Sequence, residues 1–302
     1  MDALSGVLES ARLKTVVYPK FSFTTPWGIE MEQDARSQFW QLLKGTCYLR
    51  VPGEKVIKMN VGDVVCIPHG SKHLISGKPN SACVPASQFG KAYHSGKPLF
   101  QGKDEETLLM GGHFEFTPSV QHPFMKSLPK AIHINDTEEL NVWLQQAAVM
   151  MNEEISNEKI GSKLILGRLV DILFVLIIRA YIEQADLKEG YLMALKDTRI
   201  SHSLKSMHQS PEKDWTLHQL AATAGMSRSL FCREFKRLVG ETPLSYLTDW
   251  RILKSKEILA ESKENISEIA AKVGYQSEAA FNRLFKSKVG ETPANYRRKI
   301  LA

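Results

Sequence analysis

Cysteine is scarce in this sequence, and its spacing excludes the common cysteine-based scaffolds. The 302 residues include four cysteines, and none of them forms a CxxC pair with another. Zinc ribbons need such pairs, and disulfide frameworks belong to much smaller secreted domains. We therefore expect free thiols and a reducing, cytoplasmic environment.

Long uncharged apolar runs and an export signal are also missing. The most apolar stretch, residues 164–182, is interrupted by Arg168, Asp171 and Arg179. Membrane-spanning segments rarely tolerate such charges. The first residues lack the basic start and apolar core of a secretory signal. We expect a buried helix over 164–182 and no association with a membrane.

Charge is distributed unevenly along the chain. Residues 215–302 contain 15 lysines and arginines against 9 acidic residues, which accounts for the whole formal net charge of +6. The preceding residues are balanced in charge. A basic C-terminal part that follows a neutral N-terminal part indicates a polyanionic partner for the C-terminal part.

The basic part contains an internal repeat. Residues 216–247 read TLHQLAATAGMSRSLFCREFKRLVGETPLSYL, and residues 265–297 read NISEIAAKVGYQSEAAFNRLFKSKVGETPANYR. The leading matches are offset by 49 residues, and the matches from Arg233 and Arg283 onward are offset by 50. Self-similarity of this length indicates two copies of one structural unit.

Each copy has the signals of two short helices around a tight turn. These are a capping pair, a turn glycine and a second helix cap: Thr216 with Gln219, Gly225 and Ser227 in the first copy; Asn265 with Glu268, Gly274 and Ser277 in the second. Capping pairs begin helices, and glycine ends them in a left-handed conformation. The pattern predicts helix-turn-helix motifs over 216–238 and 265–288, whose second helices enter the major groove of DNA.

The second helix of each copy divides into an inward and an outward face. We expect six apolar residues to face inward: Leu230, Phe235, Leu238, Phe281, Leu284 and Phe285. The predicted DNA contacts face outward and are Arg228, Ser229, Cys232, Arg233 and Lys236 in the first copy and Ser277, Glu278, Asn282, Arg283 and Lys286 in the second. Arginine and asparagine can pair with guanine and adenine edges, whereas lysines and hydroxyls suit phosphates. The alternative is an ordinary solvated helix face.

A helix should join the two copies. Thr242 and Pro243 have the composition of a helix start, and Leu247, Trp250 and Ile258 are candidate packing residues. A connector of this length spans about 25 Å at about 1.5 Å per residue. Two motifs held at that spacing could reach successive segments of the major groove.

Residues 199–298 resemble the DNA-binding domain of the AraC/XylS family of transcription regulators. The resemblance is carried by the two helix-turn-helix motifs, the connecting helix and the segment GYQSEAAFNRLFKSKVGETPANYR. It implies sequence-specific binding to double-stranded promoter DNA and activation of transcription through RNA polymerase. It places an all-α DNA-binding domain at 199–302.

The N-terminal part has the pattern of short strands. FWQLLKGTCYLRV and VIKMNVGDVVCIP alternate with glycine and proline, which is typical of a small barrel or sandwich. Gly62, Pro68, Gly70 and His73 match the second cupin motif, although its closing asparagine is absent. The segment 1–135 therefore resembles the cupin-type sensor domain of some AraC-family regulators. The whole chain is expected to be an α+β multidomain protein with an N-terminal cupin-like β-barrel.

A metal site in this domain is not expected. The first cupin motif supplies histidine ligands, but no histidine precedes His69. His73, Cys83, His94 and His113 could converge on zinc, yet their spacing is too irregular, so we expect ordinary strand and loop residues and no cofactor. Three further residues, Phe39, Trp40 and Leu42, either line an effector pocket or belong to the core, so no effector-binding residue is assigned.

Residues 136–198 form the third segment, a predicted helical connector. Leu140, Trp143, Leu144 and Ala147 have helical spacing. Resemblance to related regulators implies that this segment makes a homodimer. The residues themselves are equally compatible with burial inside one chain.

These observations favour a DNA-binding transcription regulator that is controlled by a small-molecule effector and is not an enzyme. One alternative is a cupin-type metalloenzyme with a DNA-binding tail, which a metal assay would reveal. Another is an architectural protein without sequence preference, which would bind promoter and random DNA alike at matched salt.

Overall fold

The structure, a computed structural model, divides into two units. It describes residues 2–11, 14–24, 26–96, 99–100, 106–116, 122–135, 142–157 and 159–301. The described residues within 13–116 and 128–186 form one unit, named here the sheet unit. Those within 1–12, 117–127 and 187–302 form the other, named the helical unit.

The sheet unit contains two β-sheets. The first has the order β1-β10-β4-β7-β11, with β2 also paired to β10, and comprises β1 (Lys14–Val17), β2 (Phe21–Thr24), β4 (Ser37–Lys44), β7 (Val64–Ile67), β10 (Glu106–Glu115) and β11 (Ile132–Ile134). The second has the order β6-β5-β8-β3-β9 and comprises β3 (Gly28–Met31), β5 (Cys47–Arg50), β6 (Ile57–Met59), β8 (His73–Ser76) and β9 (Val84–Pro85). The predicted β-rich domain is therefore present, but the predicted barrel is not closed, because the described strands pair only within each sheet.

The core of the sheet unit includes one face of β4. Successive side chains of a strand point to opposite faces, so Trp40 and Leu42 share one face and Phe39 lies on the other. Trp40 and Leu42 belong to a buried cluster with residues of the second sheet, whereas the ring of Phe39 lies 5.3 Å from that of Phe114. The three residues considered for one pocket therefore do not share a face.

A glycine in β10 makes room for the indole of Trp40. Gly111 is paired with Trp40 across the sheet, and a Cβ atom on Gly111 would lie 2.6 Å from a ring carbon of that indole. Carbon atoms cannot approach that closely, so any larger residue would displace the tryptophan from the core. This position of Trp40 therefore requires glycine at residue 111.

Three helices belong to the sheet unit: α2 (Ala86–His94), α4 (Val142–Asn157) and α5 (Ser162–Gln184). The long apolar helix α5 packs against β1 and β11, with the ring of Phe174 4.8 Å from that of Phe114. Within the described part of the chain, no helix is long and apolar enough to cross a membrane. Of the predicted inward residues of α4, Leu144 and Ala147 are buried, Trp143 is 70% exposed, and Leu140 lies outside the described residues.

The helical unit is built from ten helices in its described residues: α1 (Ala3–Ala11), α3 (Pro123–Ser127), α6 (Tyr191–Lys196), α7 (Thr198–Gln209), α8 (Leu217–Thr223), α9 (Arg228–Val239), α10 (Pro243–Glu261), α11 (Ile266–Lys272), α12 (Glu278–Val289) and α13 (Pro293–Leu301). Helix α7 packs against α1, α6 and α8. The described residues of the segment 136–198 are divided between the two units. Helices α4 and α5 pack in the sheet unit, and α6 packs in the helical unit. Helices α1 and α3, which lie far earlier in the sequence, also pack in the helical unit.

Candidate nucleic-acid interface

The first helix-turn-helix is closed by local hydrogen bonds at both ends of α8. The Thr216 hydroxyl accepts a hydrogen bond from the Gln219 amide at 3.2 Å, and the Gln219 side chain accepts one from the Thr216 amide at 2.9 Å. At the other end, Gly225 has φ +61°, and the amide of Met226 donates to the carbonyl of Ala221 at 3.0 Å. These bonds satisfy backbone groups that a helix end leaves unpaired. The predicted turn is present.

The second helix-turn-helix repeats this geometry. The Glu268 carboxylate accepts a hydrogen bond from the Asn265 amide at 2.9 Å. Gly274 has φ +86°, and the amide of Tyr275 donates to the carbonyl of Ala270 at 2.8 Å. Both turns thus have a left-handed glycine and a backbone hydrogen bond five residues back, so α12 follows α11 much as α9 follows α8.

The recognition helices α9 and α12 bury phenylalanines at equivalent positions. Phe231 and Phe235 of α9 and Phe281 and Phe285 of α12 are fully buried. Leu230, predicted to face inward, is only half-buried. The buried position is the next one along, and alignment with Phe281 of the second copy is the signal that identifies Phe231. Leu284 is likewise half-buried, whereas the predicted burial of Leu238 holds.

The ten predicted DNA contacts lie on α9, α12 or the cap of α12. Eight are exposed: Arg228, Ser229, Arg233, Lys236, Ser277, Glu278, Arg283 and Lys286. Cys232 and Asn282 occupy the same repeat position and are half-buried. The Asn282 side-chain amide donates to the Glu278 carboxylate at 3.4 Å. The structure thus puts the predicted residues of each copy on one solvent-facing side, and their contact with DNA stays a prediction.

The two arginines at the shared repeat position, Arg233 and Arg283, differ in whether an acidic residue follows them in the sequence. Arg233 is 72% exposed, and its Nε donates to the Glu234 carboxylate at 3.2 Å. Arg237 donates to the same carboxylate at 2.9 Å, and these hydrogen bonds lower the pKa of Glu234. The residue equivalent to Glu234 in the second copy is Leu284, which offers no such acceptor.

Helix α10 joins both motifs through its buried side chains. The ring of Tyr246, near its start, lies 5.8 Å from that of Phe235 in α9. Ile252 and Leu259, further along, belong to the buried cluster that contains Phe285 of α12. The helix has 19 residues and spans about 28 Å. Because one rigid helix contributes to both cores, it sets the spacing between the two recognition helices.

The four residues considered for a metal are engaged with different partners. The Trp40 indole donates to His73 Nε2 at 3.0 Å, so His73 carries its proton on Nδ1, which lies 2.9 Å from the Ser71 carbonyl oxygen. Burial lowers the pKa of His73 to about 4, which keeps the ring neutral. His113 Nδ1 lies 2.9 Å from the Tyr18 hydroxyl.

The other two candidates lie elsewhere. Cys83 contacts the Arg50 guanidinium at 3.8 Å, and His94 lies in the last turn of α2. The residues that the structure describes contain no group of three or more histidine, cysteine or acidic side chains arranged to hold a metal ion.

Known proteins match the chain along almost its whole length. A cupin family model matches residues 2–183, and a helix-turn-helix domain model matches residues 220–299. An AraC-like transcription regulator of Streptomyces lividans is 30% identical over 301 residues, which cover 99% of this chain and 98% of that protein. The HTH-type transcriptional regulator AlkR of Acinetobacter baylyi is 30% identical over 306 residues, which cover 99% and 100%.

A solved structure matches the C-terminal part alone. The DNA-binding domain of AdpA, crystallised in complex with a target DNA, is 33% identical over 32% of this chain and 85% of that one, with a TM-score of 0.30.

Proposed function

Since the chain belongs to the AraC-like family of DNA-binding transcription regulators, we propose that α9 and α12 read successive major-groove segments of one promoter. The observation that carries the proposal is the paired exposed face of the two helices, with arginine and lysine at matching positions in each copy. Both faces belong to helices whose cores share α10. Such a pair addresses two sites about one helical turn of DNA apart.

We assign base contacts first to Arg233 and Arg283. Guanine offers two acceptors to an arginine in the major groove, and a good bidentate pair contributes about 1–3 kcal/mol of discrimination. Lys236, Lys286 and the hydroxyls of the helix starts are proposed as phosphate contacts. Such contacts position the helices without distinguishing sequences.

The test is a selection of genomic fragments with the purified full chain at physiological salt, followed by footprinting. We expect protected sites with two elements about 10 base pairs apart. Arg233→Ala and Arg283→Ala should each weaken binding to the selected site by about 1–3 kcal/mol, while Lys91→Ala, which removes an exposed positive charge from α2 in the sheet unit, should not. Equal binding to selected and random DNA would contradict sequence-specific reading and indicate an architectural protein.

We further propose activation through RNA polymerase, as the family relationship suggests, in the cytoplasm where promoter DNA is read. In vitro transcription from a selected promoter, with and without the purified chain, measures this directly. Repression, or no change in transcript, would contradict activation.

A small-molecule effector is proposed to bind between the two sheets. The carboxamide oxygen of Gln38 is buried there and has no partner among the described residues. Gln38 is paired with His113 and Ile67 across the first sheet, on the face that carries Trp40. An unpaired buried acceptor costs about 1–3 kcal/mol, so a ligand with a donor group would be favoured there. Thermal-shift screening of metabolites against the full chain and Gln38→Ala tests the site, because a stabilising ligand must lose its effect in the variant.

The proposal includes no catalytic activity. A cupin enzyme normally holds a metal with three protein ligands and an open position. His73, the histidine of the cupin motif, uses Nε2 to accept from Trp40 and carries its proton on Nδ1, so neither nitrogen presents a free lone pair. Stoichiometric metal in the purified chain, measured by mass spectrometry, would instead support the metalloenzyme alternative.

A homodimer is proposed to form through α4 and α5. Their outer sides carry exposed apolar residues: Val142, Trp143, Val149 and Met150 on α4, and Leu164, Ile165 and Ile172 on α5. Exposed apolar residues that form a patch mark interaction sites. Sedimentation equilibrium should give a dimer that Ile172→Asp converts to monomer. A monomeric parent chain at micromolar concentration would exclude this interface.

A further inference from the structure

One short segment of the chain separates two strands of the sheet unit but folds with the helical unit. Helix α3 lies in the sequence between β10 and β11, both strands of the first sheet. By its contacts it belongs to the helical unit, where it packs against α6. Only residues 128–131 separate α3 from β11, so a short covalent link joins the helical unit to the first sheet at this point.

His122, directly before α3, is one of three side chains that lie within hydrogen-bond distance of the Tyr246 hydroxyl. Its Nε2 lies 3.0 Å from the hydroxyl oxygen of Tyr246. His208 Nε2 lies 2.6 Å from the same oxygen, and the Tyr191 hydroxyl lies 3.0 Å from it. All four side chains are buried. We name these four residues the Tyr246 cluster.

The protons of the cluster can be assigned from its donors. The backbone amide of Phe124 donates to His122 Nδ1 at 3.1 Å, so that nitrogen has no proton. Burial lowers the pKa of His122 to about 3, so the ring is neutral and its one proton is on Nε2. His122 is therefore a donor to Tyr246.

The remaining protons can be placed so that the hydroxyls of Tyr191 and Tyr246 each donate to an acceptor. Tyr191 donates to Tyr246, and Tyr246 donates to His208 Nε2. His208 then carries its own proton on Nδ1, which has no partner among the described residues. Loss of His122 would remove one of the two hydrogen-bond donors to the buried Tyr246 hydroxyl.

The cluster lies directly behind the first recognition helix. The Tyr246 ring contacts Phe235 of α9, and Trp250, one turn further along α10, stacks on His208 with ring centres 3.7 Å apart. The equivalent tyrosine of the second copy, Tyr296, is only half-buried and lies near Phe285, with the Lys256 ammonium 5.6 Å from its ring. Residues 265–302 contain no histidine, so the second copy cannot repeat these contacts from within its own segment.

We propose that His122 is a positioning residue which, through Tyr246, couples the segment between β10 and β11 to the first recognition helix. Movement of those strands then alters DNA binding by the first motif. The inference rests on the proposed DNA-binding function. Because coupling between two sites is reciprocal, DNA bound at α9 must also change the stability of β10 and β11.

Hydrogen exchange of the full chain, with and without a duplex carrying the selected site, tests this reciprocity. In the parent chain we expect the duplex to change amide exchange in β10 and β11 by about fivefold or more. His122→Ala and Tyr246→Phe should abolish that change, while the protection of α9 by the duplex remains. His122→Gln, which can place an amide donor towards Tyr246, should restore part of it. Tyr296→Phe is the matched control and should behave as the parent chain.

The outcomes separate the two proposals. If the parent chain does not protect α9 when the duplex is added, the proposed DNA reading is wrong. If α9 is protected but β10 and β11 do not respond, or respond equally in His122→Ala, the coupling is wrong and DNA reading stands. Tyr246→Phe removes a single oxygen, so it decides the matter even where His122→Ala fails to fold.

Discussion

The two helix-turn-helix copies have matching faces towards solvent and different surroundings behind them. Arg233 and Arg283 are exposed at the same repeat position, as are Lys236 and Lys286. Each recognition helix packs against α10 and against the first helix of its own motif, but α9 also packs against α6 and α7, and α12 packs against α13. The repeated sequence therefore preserves an exposed surface, while the helices packed behind each copy differ.

The two copies also differ in which segments of the sequence they contact. The first copy shares the Tyr246 cluster with His122, Tyr191 and His208, which lie 124, 55 and 38 residues before Tyr246. The second copy is completed by α10, α11 and α13, all within the last 60 residues. The coupling proposed through His122 therefore has contacts to act through in the first copy.

The largest expected effect tests the similarity of the two cores. Phe235→Ala and Phe285→Ala each remove a fully buried ring, so each should lower the free energy of unfolding by about 3–5 kcal/mol in urea titrations. Leu230→Ala, at a half-buried position of α9, is the control and should cost clearly less. A difference of more than about 2 kcal/mol between the two phenylalanine variants would show that the copies do not have equivalent cores.

Substitution of the turn glycines, Gly225 and Gly274, should lower the free energy of unfolding by different amounts in the two copies. Gly225 has φ +61° and open space around a Cβ atom, so Gly225→Ala should cost about 1–2 kcal/mol, for the left-handed conformation alone. A Cβ atom on Gly274 would lie 2.8 Å from the Glu212 carbonyl oxygen and 2.8 Å from the Arg251 guanidinium. Gly274→Ala should therefore cost about 2–4 kcal/mol. Equal losses in chemical denaturation would mean that the Arg251 side chain and the Glu212 backbone move aside freely.

Local sequence signals predicted the DNA-binding half well. The capping pair of Thr216 and Gln219 and the turn glycines act within a few residues, so their chemistry is visible in the sequence. The error at Leu230 arose because a leucine and a phenylalanine are adjacent on α9, and helical spacing alone did not fix which of them faces inward. Comparison of Phe231 with Phe281 resolves it.

Long-range features could not be predicted in the same way. His122 and Tyr246 are 124 residues apart, and no local pattern links them. Alternation within β4 separates Phe39 from Trp40, but the sequence does not say that the two sheets stay open rather than close into a barrel. Pairing between distant strands determines that outcome.

Acid should produce the smallest and most selective difference between the copies. Burial lowers the pKa of His122 to about 3 and that of His208 below its usual value, whereas residues 265–302 contain no histidine. The unfolded chain binds a proton at each of these histidines below about pH 6.5 and the folded chain does not. The stabilisation is therefore complete above about pH 6.5 and is lost as the pH falls towards 3.

Each buried histidine should remove up to about 1.4 kcal/mol of stability per pH unit below 6.5. Between pH 7 and pH 5, His122→Gln should therefore lose about 2 kcal/mol less than the parent chain in urea unfolding followed by tryptophan fluorescence. Trp250, stacked on His208, reports on the first copy, and residues 265–302 contain no tryptophan. Equal losses in both proteins would mean that His122 takes up a proton while the helical unit is folded. The donor role of its Nε2 would then stand only if Tyr246→Phe still lowered the free energy of unfolding at neutral pH.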